Sequence, residues 1–300
     1  MVALAHILEQ PEPPRLEEKD TDRKSVLFAG VLWACLAVTC IFLFMVLLVI
    51  VVQGLPRFDL DLITNQPSKI NPETAGVQSA IFGTLWVISL TALIALPLGI
   101  AAAVYLEEYA DPTRWYNRAI ELNIQNLAAV PSIIYGILAL GFVVRGPLSL
   151  GPVVLSGGIC LALLILPVVI ITTREALRAV PQEIRQGSLA LGATELTTTW
   201  KQVLPAAVPG IATGSILALS RAIGEAAPLI LIGATTFVTF NPTGVFSRYT
   251  VLPVQIYNLV PLDRVAFREL AYATILLLMI LLLAMNAIAI WLRNRYQKRW

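Results

Sequence analysis

The sequence has little charge. Asp, Glu, Lys and Arg make up only 13% of its 300 residues, whereas hydrophobic residues make up 57% and the mean hydropathy is +0.78. A soluble domain usually carries about twice that proportion of charged residues. The composition therefore argues against a soluble domain and indicates a chain that is solvated largely by lipid.

Histidine and cysteine are also scarce, because the chain has only His6 and the cysteines Cys35, Cys40 and Cys160. None of them forms a Cys-X-X-Cys or Cys/His pattern, so we expect no metal site. The GxxxxGK[ST] motif that cradles nucleotide phosphates is absent as well, and any ATP hydrolysis is expected on another chain. We expect no catalytic residue and no bound cofactor in this chain, and no nucleic acid among its partners.

Long apolar segments dominate the sequence. A helix needs roughly 20 apolar residues to cross the hydrocarbon core of a bilayer. Six segments meet this requirement, at about 26–52, 78–105, 123–144, 152–173, 209–233 and 269–292. They predict an all-α polytopic membrane protein with six transmembrane helices, in which a polar tail at 1–25 precedes a membrane domain at 26–300.

The distribution of Lys and Arg predicts the orientation, because positive residues concentrate in cytoplasmic segments. Fourteen of the 21 Lys and Arg residues fall within 1–25, 106–122, 174–208 and 293–300. These segments lie on one side of a six-helix chain, so we expect both termini to be cytoplasmic. Within 106–122, we expect the carboxylates of Glu107, Glu108 and Asp111 to be solvated at the inner end of a helix.

The inside loop at about 174–208 is unusually long. Its sequence contains two short helical patterns, one starting after Pro181 and one starting after Thr194, a residue that often caps a helix N-terminus. Gly192 lies between them and is expected to end the first helix in a left-handed conformation. Pro205 is expected to end the second helix. The loop is therefore predicted to form a helix–glycine–helix knob on the inner face.

Two opposite charges, Arg221 and Glu225, interrupt the apolar fifth segment. A helix that starts near Pro209 would place Arg221 about 18 Å along its axis, near the bilayer midplane. Small residues recur alongside the pair, which favours close packing with another helix; they are Gly210, Gly214, Ala218, Ala222 and Ala226.

Two interpretations of this charged pair remain open, since charges inside a membrane are costly and are usually functional. One is a salt bridge that holds helices in register. The other is an anion site, in which the guanidinium binds oxyanion oxygens and Glu225 accepts a hydrogen bond from a protonated oxyanion. Phosphate keeps such a proton near neutral pH and sulfate does not, so the pair favours phosphate.

The stretch QGSLALGATELTTTWKQVLP at 186–205 resembles the cytoplasmic coupling motif of ABC importer permeases. That motif reads Glu-Ala-Ala, three residues, Gly, nine residues, Ile, one residue, Leu-Pro. Gly192 matches its glycine, and Leu204 and Pro205 match its Leu-Pro. The sequence departs from the motif where Gln186, Gly187 and Ser188 replace Glu-Ala-Ala and where Gln202 replaces Ile. The resemblance implies that the knob docks on a separate ATPase subunit.

Segments 83–111, 126–142 and 220–234 also resemble the permease subunits of phosphate ABC importers, which implies the type I importer fold and a bacterial plasma (inner) membrane location. The resemblance further implies that Arg221 and Glu225 lie on the phosphate pathway. The implied partners are a second permease subunit, two copies of an ATPase that binds ATP and Mg, and an extracytoplasmic phosphate-binding protein. Alternatives are a permease for another oxyanion (sulfate, molybdate or phosphonate) and an ATP-independent anion carrier.

Overall fold

The structure is a computed structural model that describes residues 23–234 and 237–296. Nearly all of the predicted polar tail at 1–25 lies outside the described residues, so it stays a prediction. Within the described ranges every regular element is helical, which confirms the all-α class.

Twelve α-helices make up the described chain. In chain order they are α1 (Arg23–Gly54), α2 (Leu60–Thr64), α3 (Gln78–Val104), α4 (Trp115–Ala128), α5 (Ser132–Ala139), α6 (Val154–Arg178), α7 (Gln182–Ala190), α8 (Glu195–Thr198), α9 (Leu204–Gly224), α10 (Ala227–Leu231), α11 (Leu252–Leu259) and α12 (Val265–Tyr296). Three π turns continue the helices α3, α5 and α8, at Tyr105–Tyr109, Leu140–Val144 and Thr199–Val203.

Five helical segments of the described chain are long and apolar enough to cross a membrane, and a bent helix pair would be the sixth. Three of the five contain the predicted first, second and sixth spans. A fourth, Val154–Arg178, begins two residues after the predicted start of the fourth span at 152 and extends beyond its predicted end at 173. Pro97 and Pro167 lie inside α3 and α6 without ending them, as membrane helices often tolerate. The chain is therefore a multi-pass membrane protein.

The predicted third span at 123–144 is not one helix. It consists of α4, which begins earlier at Trp115, and of α5 with its π turn, and the two parts are bent by 103°. Pro131 precedes α5 and has no N–H to continue the helical hydrogen bonds of α4. Its ring also disfavours a helical backbone conformation at the preceding residue. The chain therefore turns between Ala128 and Ser132.

The chain divides into two units, residues 1–49 and 50–300. In the first unit, the described part of α1 carries large apolar side chains that are exposed along its length, such as Phe28, Trp33 and Phe42. A helix that is apolar all round is suited to lipid rather than water.

The second unit is built around α6. Helices α3 and α9 both pack against α6, and α12 packs along α9. The largest apolar cluster joins α3, α5, α6, α9 and α10. A smaller cluster at the inner end joins Val104, Leu177, Val203 and Ala207, with Ile184 of α7 packed against it. This arrangement attaches the predicted knob to the membrane helices.

Candidate functional site

Arg221 lies three residues before the end of α9, which stops at Gly224. Glu225 follows with an extended backbone (φ −82°, ψ 112°), and α10 begins two residues later. The expectation of one helix over 209–233, with both charges inside it, is therefore wrong. Glycine is common in membrane helices, so its presence alone does not indicate a helix end. The end of α9 at Gly224 could therefore not be predicted from the sequence.

The two charges remain neighbours across the helix end. Arg221 Nε lies 3.8 Å from Glu225 Oε1, and the two side chains are 54% and 22% exposed. This distance exceeds the 2.7–3.2 Å typical of an N–H···O hydrogen bond. Neither side chain has a hydrogen-bond partner among the described residues. The guanidinium donors are therefore free to bind oxygen atoms of a ligand.

The row of small residues packs as predicted along most of its length. A Cβ built on Gly210 would lie 2.7 Å from Ala176 Cβ, and one built on Gly214 would lie 2.6 Å from Thr172 Oγ1. Both neighbours belong to α6, so these glycines permit the close approach of α9 and α6. Ala226 is different because it lies beyond the end of α9.

The two broken spans meet in the core. Helix α5 packs against α10, and a Cβ built on Gly136 would lie 2.7 Å from the Cα of Pro228. Backbone groups freed at such breaks are tolerated in a membrane where they are buried in protein or line a path. The break beside Glu225 is thus held by close packing of a second interrupted helix.

The predicted knob is present in the second unit. Gly192 has φ +86°, the left-handed conformation expected for the residue between the two helices. Thr194 caps the following helix, because its hydroxyl accepts a hydrogen bond of 3.2 Å from the N–H of Thr197. The hydroxyls of Ser188 and Thr198 lie 2.8 Å apart and join the two helices directly.

The second helix of the knob does not end at Pro205, contrary to expectation. The π turn Thr199–Val203 carries α8 into α9, and the N–H of Leu204 bonds to the carbonyl of Thr199. Pro205 is then the second residue of α9, directly after the π turn. The knob and the fifth span therefore share one helical segment, Glu195–Gly224.

The remaining motif residues divide by exposure. Gln186 and Gly187 are exposed on α7, and Pro205 is exposed on α9, whereas Leu204 packs against the inner apolar cluster. The exposed apolar side chains around them were not predicted, and Leu191 at 91% is the most exposed of these. Leu196 and Trp200 extend this apolar surface, which is suited to docking a partner.

Arg185 is a second residue that the sequence analysis missed. Its guanidinium bonds to Glu108 through Nη2 at 2.8 Å and Nε at 3.3 Å, and to the carbonyls of Leu177 and Val180 at 2.9 and 2.7 Å. Both side chains of the ion pair are largely buried. Helix α7 is thereby bonded to the ends of α3 and α6.

The expectation that Glu107 and Glu108 are solvated is wrong, since both form ion pairs with arginines from α6 or α7. Asp111 fits the expectation because it is exposed, and hydrogen bonds from Thr113 hold the pKa of its carboxyl below the usual value. No local signal identifies these ion pairs, because the partners lie 67 to 77 residues apart in sequence.

Comparisons with known proteins agree with this architecture. Residues 95–300 match the family described as "Binding-protein-dependent transport system inner membrane component". A "Probable ABC transporter permease protein YqgI" from Bacillus subtilis is 30% identical, over 95% of this chain and 99% of the relative. A "Probable phosphate transport system permease protein PstA" from Methanocaldococcus jannaschii is also 30% identical, over 87% and 90% of the two chains.

Among solved structures, a chain from a bacterial alginate ABC transporter in complex with an alginate pentasaccharide-bound periplasmic protein superposes with a TM-score of 0.68. The match covers 93% of this chain and 98% of that chain at 18% identity. At this identity, the likeness shows that the two chains share a fold.

Proposed function

The chain belongs to the family of inner membrane components of binding-protein-dependent transport systems, and from this premise we propose that it is the permease subunit of an ATP-driven phosphate importer. The family makes it a membrane transport component rather than an enzyme. The observation that carries the phosphate assignment is the Arg221 guanidinium, which lies 3.8 Å from Glu225 at a helix break and has no hydrogen-bond partner among the described residues. The phosphate permease name of one relative supports the same assignment.

We propose that Arg221 and Glu225 form part of the translocation path. A guanidinium with free donors suits phosphate oxygens. A carboxylate would repel a fully deprotonated anion but accepts a hydrogen bond from a protonated phosphate. The exposure of Arg221 in the isolated chain supports a path that is completed by a second subunit.

The proposed assembly pairs this chain with a second, PstC-like permease in the lipid bilayer. A dimer of a PstB-like ATPase would bind ATP and Mg, and a PstS-like extracytoplasmic protein would deliver inorganic phosphate. The chain itself would bind no cofactor, in keeping with its lack of a GxxxxGK[ST] motif. The exposure of Gln186, Gly187, Gly192 and Pro205 supports docking of the ATPase at residues 186–188, 192 and 204–205.

Uptake of radiolabelled phosphate tests the proposal. Cells that lack their own phosphate importer would express this chain with its partners, as wild type, Arg221→Gln or Arg293→Gln at equal membrane abundance. Arg293 is the matched control because it is exposed at the end of α12, far along the chain from the break. We expect Arg221→Gln to lower uptake about tenfold or more, since it removes charge-assisted hydrogen bonds, and Arg293→Gln to leave it unchanged. Equal uptake by all three would overturn the assignment.

Selectivity separates phosphate from other oxyanions. Glu225→Gln removes the negative charge of the carboxylate that accepts a hydrogen bond from a protonated oxyanion. The substitution keeps the size of the side chain. We expect excess sulfate to compete poorly with phosphate in the wild type and better in Glu225→Gln. If sulfate, molybdate or phosphonate inhibits the wild type more strongly than unlabelled phosphate does, the alternative oxyanion is the substrate.

A further inference from the structure

A cavity of about 280 Å³ lies between α4 and the inner ends of α3 and α6. Its charged lining consists of three arginines and two glutamates, namely Arg118, Arg174, Arg178, Glu107 and Glu121. None of these residues belongs to the motif on the knob or to the charged pair on α9. The cavity is therefore a separate feature of the molecule.

The carboxylates do not balance the guanidinium groups. Arg174 binds Glu107 and Glu121, each at 3.0 Å, and Arg178 Nε binds Glu107 at 2.6 Å. The terminal nitrogens of Arg178 have no hydrogen-bond partner among the described residues, and the side chain of Arg118 forms neither a hydrogen bond nor an ion pair there. The cavity thus carries an excess positive charge with free donors.

Asn117 adds an unpaired acceptor. It is only 5% exposed, and its Nδ2 donates to the carbonyl of Asp111 at 2.9 Å. Its Oδ1 is buried, has no partner within the described chain, and belongs to a residue that lines the cavity. Buried polar atoms are nearly always hydrogen-bonded, so this oxygen points to an occupant that donates a hydrogen bond.

Free guanidinium donors and one buried acceptor together define the occupant. We propose that the cavity binds a phosphate group that carries a hydrogen-bond donor, either a phospholipid headgroup with a hydroxyl or ammonium group or a protonated phosphate ion. Arg118 and Arg178 bind the phosphate oxygens, and Asn117 accepts from the donor. Basic pockets between membrane helices at the cytoplasmic side are suited to anionic headgroups.

The surroundings place the mouth of the cavity at headgroup level. Trp115 and Tyr116 begin α4 next to Arg118, and Trp115 is 80% exposed. Aromatic side chains of this kind concentrate at the interface between membrane and water. Ile120 and Leu122 are also exposed on α4, so the helix presents apolar surface to lipid.

Lipid retention by the full-length chain tests the site without any measurement of transport. The chain would be reconstituted in phosphatidylcholine vesicles with or without phosphatidylglycerol, re-purified, and weighed by native mass spectrometry to count bound phosphatidylglycerol. The variants are Arg118→Gln, the charge-retaining Arg118→Lys, and Arg114→Gln. Arg114 is the matched control because it lies four residues earlier, does not line the cavity, and pairs with Asp111.

We expect phosphatidylglycerol retention to fall about tenfold in Arg118→Gln, the effect of losing one charge-assisted hydrogen bond. It should persist in Arg118→Lys and in Arg114→Gln. A second arm measures hydrogen exchange of the α4 amides in pure phosphatidylcholine vesicles with excess inorganic phosphate. Protection there that depends on Arg118, without phosphatidylglycerol retention, would identify the free anion as occupant. Equal behaviour of Arg118→Gln and Arg114→Gln in both arms would overturn the proposal.

Discussion

At the scale of single residues, two glycines of the knob have the same free space but different backbones. A Cβ on Gly187 or on Gly192 would meet no atom within 4 Å, yet only Gly192 has a positive φ, +86°. Gly187 lies inside α7, where glycine costs about 1 kcal/mol of helix stability relative to alanine. At Gly192 the left-handed conformation costs a residue such as alanine about 1–2 kcal/mol.

The two alanine substitutions should therefore have opposite effects. We expect Gly187→Ala to raise the opening free energy of the α7 amides by about 1 kcal/mol, because it improves helix propensity without a clash. We expect Gly192→Ala to lower that free energy by a similar amount, because it strains the connection. Hydrogen exchange of residues 182–198 in the purified chain measures both.

A shift in the same direction for both alanine variants would contradict this interpretation, since the sites differ chiefly in φ. Gly187 also stands where the coupling motif has alanine. The open space around it means that this departure removes no contact within the chain.

At the scale of elements, the Arg185–Glu108 ion pair bonds the knob to α3. We expect Glu108→Gln to leave the partner ATPase active but to lower the phosphate imported per ATP hydrolysed. The substitution leaves a largely buried guanidinium without its counter-charge, at a cost of about 2 kcal/mol. A movement of α7 is then transmitted less completely to α3. Parallel measurement of uptake and ATP hydrolysis in reconstituted vesicles checks this.

Glu183→Gln supplies the control for that experiment. Glu183 lies on α7 together with Arg185, but it is exposed and forms no ion pair within the described residues. Equal ratios of uptake to hydrolysis in the two variants would rule out a transmitting role for the pair.

The elements also show which features a single sequence can predict. Long, predominantly apolar segments were sufficient to locate α1, α3, α6 and α12. Proline was ambiguous, because Pro97 and Pro167 lie inside continuous helices whereas Pro131 lies at the 103° bend. The difference depends on packing, such as that of α5 against α10, and packing is not a local property.

In the candidate site, too, local features could be predicted from the sequence and contacts between distant residues could not. Arg221 and Glu225 stand out because charge is rare in a membrane segment, and the Gly192 elbow follows from local backbone chemistry. The ion pairs of Glu107 and Glu108 could not be predicted, because their arginine partners are far away in sequence. The end of α9 at Gly224 was missed because glycine occurs within membrane helices as well as at their ends.

At the scale of the whole molecule, the bent pair α4–α5 decides the topology. If it crosses the membrane as one span, three crossings separate Asn71 from Gln186, and these exposed residues lie on opposite sides. In a variant without Cys35, Cys40 and Cys160, we expect Asn71→Cys to react with an impermeant thiol reagent in intact cells. Gln186→Cys should react only after permeabilisation. Reaction of both in intact cells would show that the pair is re-entrant.

The continuity of Glu195–Gly224 has a mechanical consequence. This 30-residue segment is about 45 Å long at 1.5 Å per residue, with the knob at one end and Arg221 at the other. If the segment tilts as one rigid body, a tilt of about 10° about one end moves the other end by about 8 Å. That distance exceeds the diameter of a phosphate ion, so a small rotation at the inner face is amplified at the charged break.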